Sequence, residues 1–555
     1  MRIFSKKTFL HSAILALLIL FGLLFYANSF NSPLERDEGE YAYSAWLLKN
    51  DIMPYENSFL QKPPIIIYYY YAGLLINPDA VWPPRMIAFI FTILCAILLG
   101  FIARKEFGAI AGTAAMFLFI PMDAFPFLAP FAANTERFMQ LPLIGALAVY
   151  IYFGNKKNFQ PLFWAGLLGC AALLTKPVCL APLLFLFVFW VLERSRLIQP
   201  LKKITKKFAG KLLGLSSLSG EIIKNRSPQK LTKGNLLIAL KCSVFITLGM
   251  LAGFFLTCGY FLLKVSHKYL WETWVVFNQY YAAQFDIGNF SKYAVLFAEN
   301  WWLLLFFIFW IILRRLRHWK FYISLLLLSF ISVMVSPIGH YYLLAIPFWT
   351  IICAAAIGDI GLLLNKKMRT SIGKFISPIV LIVLTLVLII YPISEQFKRS
   401  PQQMELWIYG FGNPFIEAKI VADKLKEITT PADKVFIAGS EPEILFYSKR
   451  ISSSRFNITY PLIIDTPSRE EYQKKAISEL EKNPPAAIVF SNKEESGLWN
   501  NESPKIFIDY LKKLLKDNYI LVGGYVQNKS DINQYGSWQE RVNETDASLL
   551  LYKRK

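Results

Sequence analysis

Long apolar runs alternate with short polar segments from about residue 10 to about residue 393. About eleven runs approach or exceed the roughly 20 residues that cross a bilayer as a helix. They lie at 10–30, 83–103, 108–128, 137–153, 161–175, 177–193, 236–264, 297–313, 320–336, 341–364 and 375–393. Beyond residue 395 both charge signs appear and short helical and strand patterns alternate. Helices are expected from Pro414 to Thr429, from Pro467 to Asn483 and from Ser503 to Leu515. Strands are expected over Lys434–Gly439, Ala486–Ser491 and Tyr519–Val522, and Gly523-Gly524 reads as a turn. The expected fold is an α-helical polytopic membrane protein of residues 1–395, followed by a small soluble α/β domain of residues 396–555.

The polar segments carry the next layer of information. Basic residues cluster at Arg2 to Lys7, Arg104-Lys105, Lys156-Lys157, the linker 193–234, Arg314 to Lys320 and Lys366 to Lys374. With a cytoplasmic N-terminus every cluster falls on the cytoplasmic side, as the positive-inside rule requires, and an odd number of spans leaves the C-terminal domain outside. The net charge of +21 therefore reports topology and contact with anionic lipid, not nucleic-acid binding. The first span has no small-residue cleavage site before Pro33 and reads as a retained helix. All six cysteines fall in apolar segments, which argues for burial and against a disulfide or zinc framework.

The first outer loop, 31–82, holds the densest chemistry. It opens with Leu34-Glu35-Arg36-Asp37-Glu38-Gly39-Glu40-Tyr41, runs through an expected interfacial helix at Tyr41 to Leu48, and reaches Gln61-Lys62-Pro63-Pro64. Carboxylates beside a membrane are costly. Asp37 and Glu38 suit a base that takes a proton from an acceptor hydroxyl or amine; a solvated acidic loop is the plain alternative. Glu136, in Asn134-Thr135-Glu136-Arg137, opens the fourth span, where it pairs with a basic residue, orients an acceptor, helps hold a metal or merely caps a helix. Lys62, Arg85 and Lys176 place positive charge on the same side, which a leaving phosphate needs as its charge develops; snorkelling explains Arg85 as well. His340, Tyr341 and Tyr342 stand at a late outer turn, as phosphate or sugar ligands or as an aromatic belt.

In this order and at these loops the residues resemble the polytopic GT-C glycosyltransferases related to protein O-mannosyltransferases and the lipid A aminoarabinose transferase, the family 39/83-like group. The resemblance covers about residues 1–395. It implies inverting transfer of a sugar from a polyprenyl-phosphate donor, on the outer face of a bacterial inner membrane, to a glycolipid, surface glycan or protein. It also implies that Asp37 is the base with Glu38 as partner, that Glu136 is an acidic position of the second loop, and that Lys62 holds the donor phosphate. The aminoarabinose enzymes carry glutamate before Lys-Pro-Pro, where Gln61 stands here, which counts against that specificity. No cofactor is called for, and a divalent metal stays open. A transporter or flippase for lipid-linked sugars is the alternative, although no internal repeat or mid-membrane charge supports it. A non-catalytic scaffold would leave the loop cluster unexplained.

Overall fold

The structure, a computed structural model, describes residues 6–129, 131–154, 157–197, 232–283, 319–334, 336, 338–368, 370–497, 502–528 and 535–555. The helical part comprises α1 (Lys6–Tyr26), α2 (Arg36–Lys49), α3 (Ile65–Ile76), α4 (Trp82–Phe107), α5 (Ala109–Asp123), α6 (Thr135–Phe153), α7 (Gln160–Thr175), α8 (Leu180–Arg194), α9 (Lys233–Lys264), α10 (Trp319–Val333), α11 (Ile346–Lys367) and α12 (Ser371–Ile390). Helices occupy the expected spans wherever these are described; the span expected at 297–313 and most of the basic linker lie outside the described residues. Among the described residues six helices are long and apolar enough to cross a membrane. Their outer faces are apolar: Leu263 on α9 is 87 % exposed and Leu24 on α1 is 67 % exposed, which suits lipid and not water. The protein is an integral membrane protein. All six cysteines are buried and unpaired.

α2 departs from expectation. It begins at Arg36, so the acidic cluster is its first turn. Glu35 caps it: its carboxylate accepts from the Glu38 amide at 3.0 Å, and the Glu38 carboxylate accepts from the Glu35 amide at 3.4 Å. Tyr41, Tyr43, Ala45 and Leu47 are buried, so the expected helix is packed against the rest of the protein.

The chain beyond residue 395 forms α13 (Pro401–Tyr409), α14 (Phe415–Ile428), β1 (Lys434–Ala438), α15 (Pro442–Ser448), β2 (Ile451–Ser452), α16 (Arg469–Lys482), β3 (Ala487–Ser491), α17 (Ile506–Asn518), β4 (Tyr519–Gln527), β5 (Gly536–Gln539) and β6 (Ala547–Arg554). The sheet order is β2-β1-β3-β6-β4-β5, with β2, β1 and β3 parallel and β6, β4 and β5 antiparallel to their neighbours. Strand alternation divides its two faces. Phe436, Ile488 and Leu550 pack on Tyr472 and Ala476 of α16 and Phe507 and Leu511 of α17. Val435, Ile437, Val489 and Leu549 share a core with Tyr41, Ala45, Leu60 and Ile66 of the first outer loop. Sheet and loop are thus one packed body. Gly523-Gly524 is not a turn: it lies inside β4 beside a bulge, where a Cβ on Gly523 would stand 2.5 Å from the Gln539 carbonyl. Gly523 allows β5 to approach and Gly524 allows β6.

Candidate active site

α2 distributes its first turns over three surroundings. Glu38 faces the membrane helices, where it meets Arg85 near the start of α4. Arg85 donates from Nε to Glu38 Oε1 at 2.9 Å and from Nη2 to Glu38 Oε2. Its remaining N–H groups go to the carbonyls of Ser29 (2.7 Å), Ser32 (2.5 Å) and Pro33 (2.7 Å). All five guanidinium donors are used. Glu38 also accepts from the Ala133 amide at 2.7 Å. Gly39 faces α15, where a Cβ would stand 2.5 Å from the Glu443 amide nitrogen. Only glycine permits that approach.

Arg36 reaches the C-terminal region. It donates to the Ser440 carbonyl (2.7 Å), the Tyr460 hydroxyl (2.5 Å) and Asn413 Oδ1 (3.2 Å). Its guanidinium also lies over the Phe415 and Tyr460 rings, at 5.8 and 5.3 Å from their centroids. Three further bonds tie the loop down: the Leu34 amide to the Tyr447 hydroxyl (2.8 Å), the Ser452 amide to the Tyr43 hydroxyl (2.9 Å) and the Phe59 amide to Asn457 Oδ1 (2.9 Å).

Asp37 and Glu40, one turn apart, share the remaining face and line a cavity of about 700 Å³. Lys62, Gln61, His340 and Tyr341 line it too, as do residues of the C-terminal region, among them Tyr409, Phe415, Tyr460 and Arg469. The 61–62 strip is held from behind: Asn278 donates to the Gln61 carbonyl at 2.7 Å and Tyr55 to the Lys62 carbonyl at 2.8 Å. Behind His340 and Tyr341 lies a buried ion pair, Lys176 Nζ to Glu136 Oε1 at 2.8 Å, with His340 Nε2 3.9 Å from the same oxygen. The Lys176 ammonium stands 4.0 Å from the centre of the Tyr341 ring. Thr135 donates to Glu136 Oε2 at 3.0 Å.

Of the nine residues singled out in the sequence, Asp37, Lys62, His340 and Tyr341 therefore meet at one cavity. Glu136 and Lys176 form a layer behind it. Glu38 and Arg85 neutralise each other away from it, and Tyr342 is buried beside Phe330 in the apolar core. Glu40 was not among the nine. It is 2 % exposed, and burial pushes its carboxyl up to about 8, with Asp37 adding to that rise and Lys62 opposing it. Its place in Arg36-Asp37-Glu38-Gly39-Glu40, three residues after Asp37 at helical spacing, is the signal that marks it. Burial raises Glu35 strongly, with Asp37 and Glu38 adding, and lowers His340. Among the described residues no cluster of three or more His, Cys, Asp or Glu is placed to hold a metal.

A partly exposed carboxylate, a lysine and an imidazole around one half-open cavity can bind an anionic ligand and take a proton from a neutral one. No protein-family model and no curated protein sequence matches the chain. Solved structures do. ArnT from Cupriavidus metallidurans bound to undecaprenyl phosphate matches with a TM-score of 0.54 at 12 % identity, over 98 % of this chain and 97 % of that one. Its apo state matches with a TM-score of 0.54 at 13 % identity, over 98 % of both chains. The Archaeoglobus fulgidus oligosaccharyltransferase tethered with an acceptor peptide matches with a TM-score of 0.50 at 13 % identity, over 97 % of this chain and 74 % of that one. At such identities the likeness is one of fold, and the chain has the GT-C fold of these membrane proteins.

Proposed function

We propose that the protein is a membrane glycosyltransferase that moves a sugar from a polyprenyl-phosphate donor to an acceptor at the outer face of a bacterial inner membrane. The carrying observation is the meeting of Asp37 and Lys62, 25 positions apart in sequence, across one cavity beside the membrane helices. Lys62 takes the donor phosphate and stabilises the charge that grows on it as the glycosidic bond breaks. Asp37 accepts the proton of the acceptor hydroxyl or amine, so that attack from the face opposite the phosphate inverts the anomeric carbon. His340 and Tyr341 complete the wall, and the Lys176–Glu136 pair fixes them from behind. Residues 396–555 act as an extracytoplasmic domain that closes the cavity and narrows acceptor entry. The bound undecaprenyl phosphate of the fold neighbour from C. metallidurans supports a donor of this kind.

The test is transfer of radiolabel from a panel of polyprenyl-phosphate sugars in membranes containing the wild-type protein or Asp37→Asn. Label moving in wild type and not in the variant supports the reading and names the sugar. Full transfer by the variant removes Asp37 as base. Absence of transfer from every donor, with native acceptors present, overturns the reading as a whole.

A further inference from the structure

We propose that Glu40 and Gln61 form the part of the cavity that reads the donor's sugar, and that this sugar is a neutral one presenting hydroxyl groups. The inference rests on the transferase reading and deepens it. Glu40 and Gln61 are 2 % and 6 % exposed, and both line the cavity. Each has a side-chain oxygen, Oε1 in both, that is buried without a hydrogen-bond partner among the described residues. A buried acceptor left unmatched is costly, and one at a cavity wall is open to a ligand that supplies the missing donor. Both oxygens call for donors, and sugar hydroxyls supply them.

Position then selects the sugar over the rest of a lipid-linked donor. Gln61 is the immediate neighbour of Lys62, and Glu40 feels the Lys62 charge. A sugar is bonded directly to its phosphate, so groups flanking the phosphate-binding lysine face the sugar ring. The carbonyls of residues 61 and 62 are tied by Asn278 and Tyr55, which fixes the backbone that carries Gln61 beside Lys62. Charge selects a neutral sugar. Gln61 brings none, and the surroundings of Glu40 favour its protonated form, which both donates and accepts as a hydroxyl does. A cationic amino group at this point would face the Lys62 ammonium.

The experiment is equilibrium binding to the full-length protein in nanodiscs, with undecaprenyl phosphate, undecaprenyl-phosphate-glucose and undecaprenyl-phosphate-glucosamine as probes. Wild type should bind the glucosyl lipid about tenfold tighter than the bare lipid, the effect of one or two hydrogen bonds to buried groups. Glu40→Ala and Gln61→Ala should each bring that ratio toward one while the bare lipid binds as before, which also certifies the fold. Glu40→Gln, which keeps an acceptor oxygen, should retain most of it. A ratio unchanged in both alanine variants, a ratio of one in wild type, or tightest binding of the glucosamine lipid would overturn the proposal. Bare lipid that fails to bind wild type, or binds Lys62→Ala equally well, would instead remove the transferase reading on which the proposal stands.

Discussion

Arg85 and Glu38 form a closed ion pair in which every guanidinium N–H has an acceptor and the carboxylate also holds the Ala133 amide. Both side chains are buried, at 2 % and 0 % exposure. Such a pair has nothing left to offer a substrate. Its expected role is to fix the start of α2 against α4 and the second outer loop. Glu38→Gln or Arg85→Ala leaves the opposite charge buried and unpaired, a loss of about 3–5 kcal/mol. Both variants should fall in thermal stability and in monodisperse yield, before any assay of transfer is read.

Asp37→Asn is expected to behave in the opposite way. Asp37 is partly exposed at the cavity wall and lies one turn from Glu40. The variant should melt with wild type and lose transfer by about 10²–10⁴-fold, the usual contribution of a positioned base. A melting temperature that drops as far as that of the Glu38 variant would assign Asp37 to structure instead.

Gly39→Ala should loosen the joint between α2 and α15, because the added carbon meets the Glu443 backbone, which cannot rotate away. Overpacking of this kind costs about 1–3 kcal/mol. Limited proteolysis should show earlier cleavage near 391–400, between α12 and α13, in the variant than in wild type.

Stability should fall as pH rises from about 4.5 to about 8. Glu405 on α13 is buried, and burial pushes its carboxyl up to about 8, with Arg85 opposing and Glu38 adding. In that window the folded chain holds a proton that the unfolded chain has released, so the stabilisation present below the unfolded value is lost as pH passes through the folded one. The slope is at most about 1.4 kcal/mol per pH unit per group, and Glu40 contributes in the same direction. Glu405→Gln should flatten the dependence of melting temperature on pH between 5 and 8. An unchanged slope would mean that Glu405 titrates normally.

The long apolar helices that the structure describes were legible because a bilayer demands about twenty apolar residues in a row. Asp37 and Lys62 were legible as charges that have no reason to sit beside a membrane. Other features depend on contacts across long separations. Nothing near Glu38 reveals that it belongs to Arg85, 47 positions away, and so the two look like chemistry in the sequence and like framework in the fold. Gly39 looks like an idle helix residue until Glu443 arrives over 400 positions later. The same blindness made Gly523-Gly524 a turn: a glycine pair that admits a neighbouring strand reads, in one dimension, like a pair that reverses the chain. Glu40 was hidden for a different reason. Glu38 and Glu40 are both buried glutamates, and only their partners differ: Glu38 holds Arg85 and the Ala133 amide, while Glu40 keeps an oxygen without a hydrogen-bond partner among the described residues.

The helix from Arg36 works as a three-sided key whose teeth are set by angle alone. Each residue advances the helix by about 100°, so Arg36, Asp37, Glu38, Gly39 and Glu40 go round the axis once and a little more. Because clamp, cavity wall, ion pair and docking notch are separated only by rotation, they share one phase. Inserting a single alanine after Glu35 would leave every residue present and turn each toward its neighbour's surroundings: Asp37 toward Arg85, Glu38 into the notch, and Gly39 to the cavity wall. The five-residue stretch is thus a unit in which order and spacing carry as much information as composition, and variation within it is expected by substitution and not by change of length.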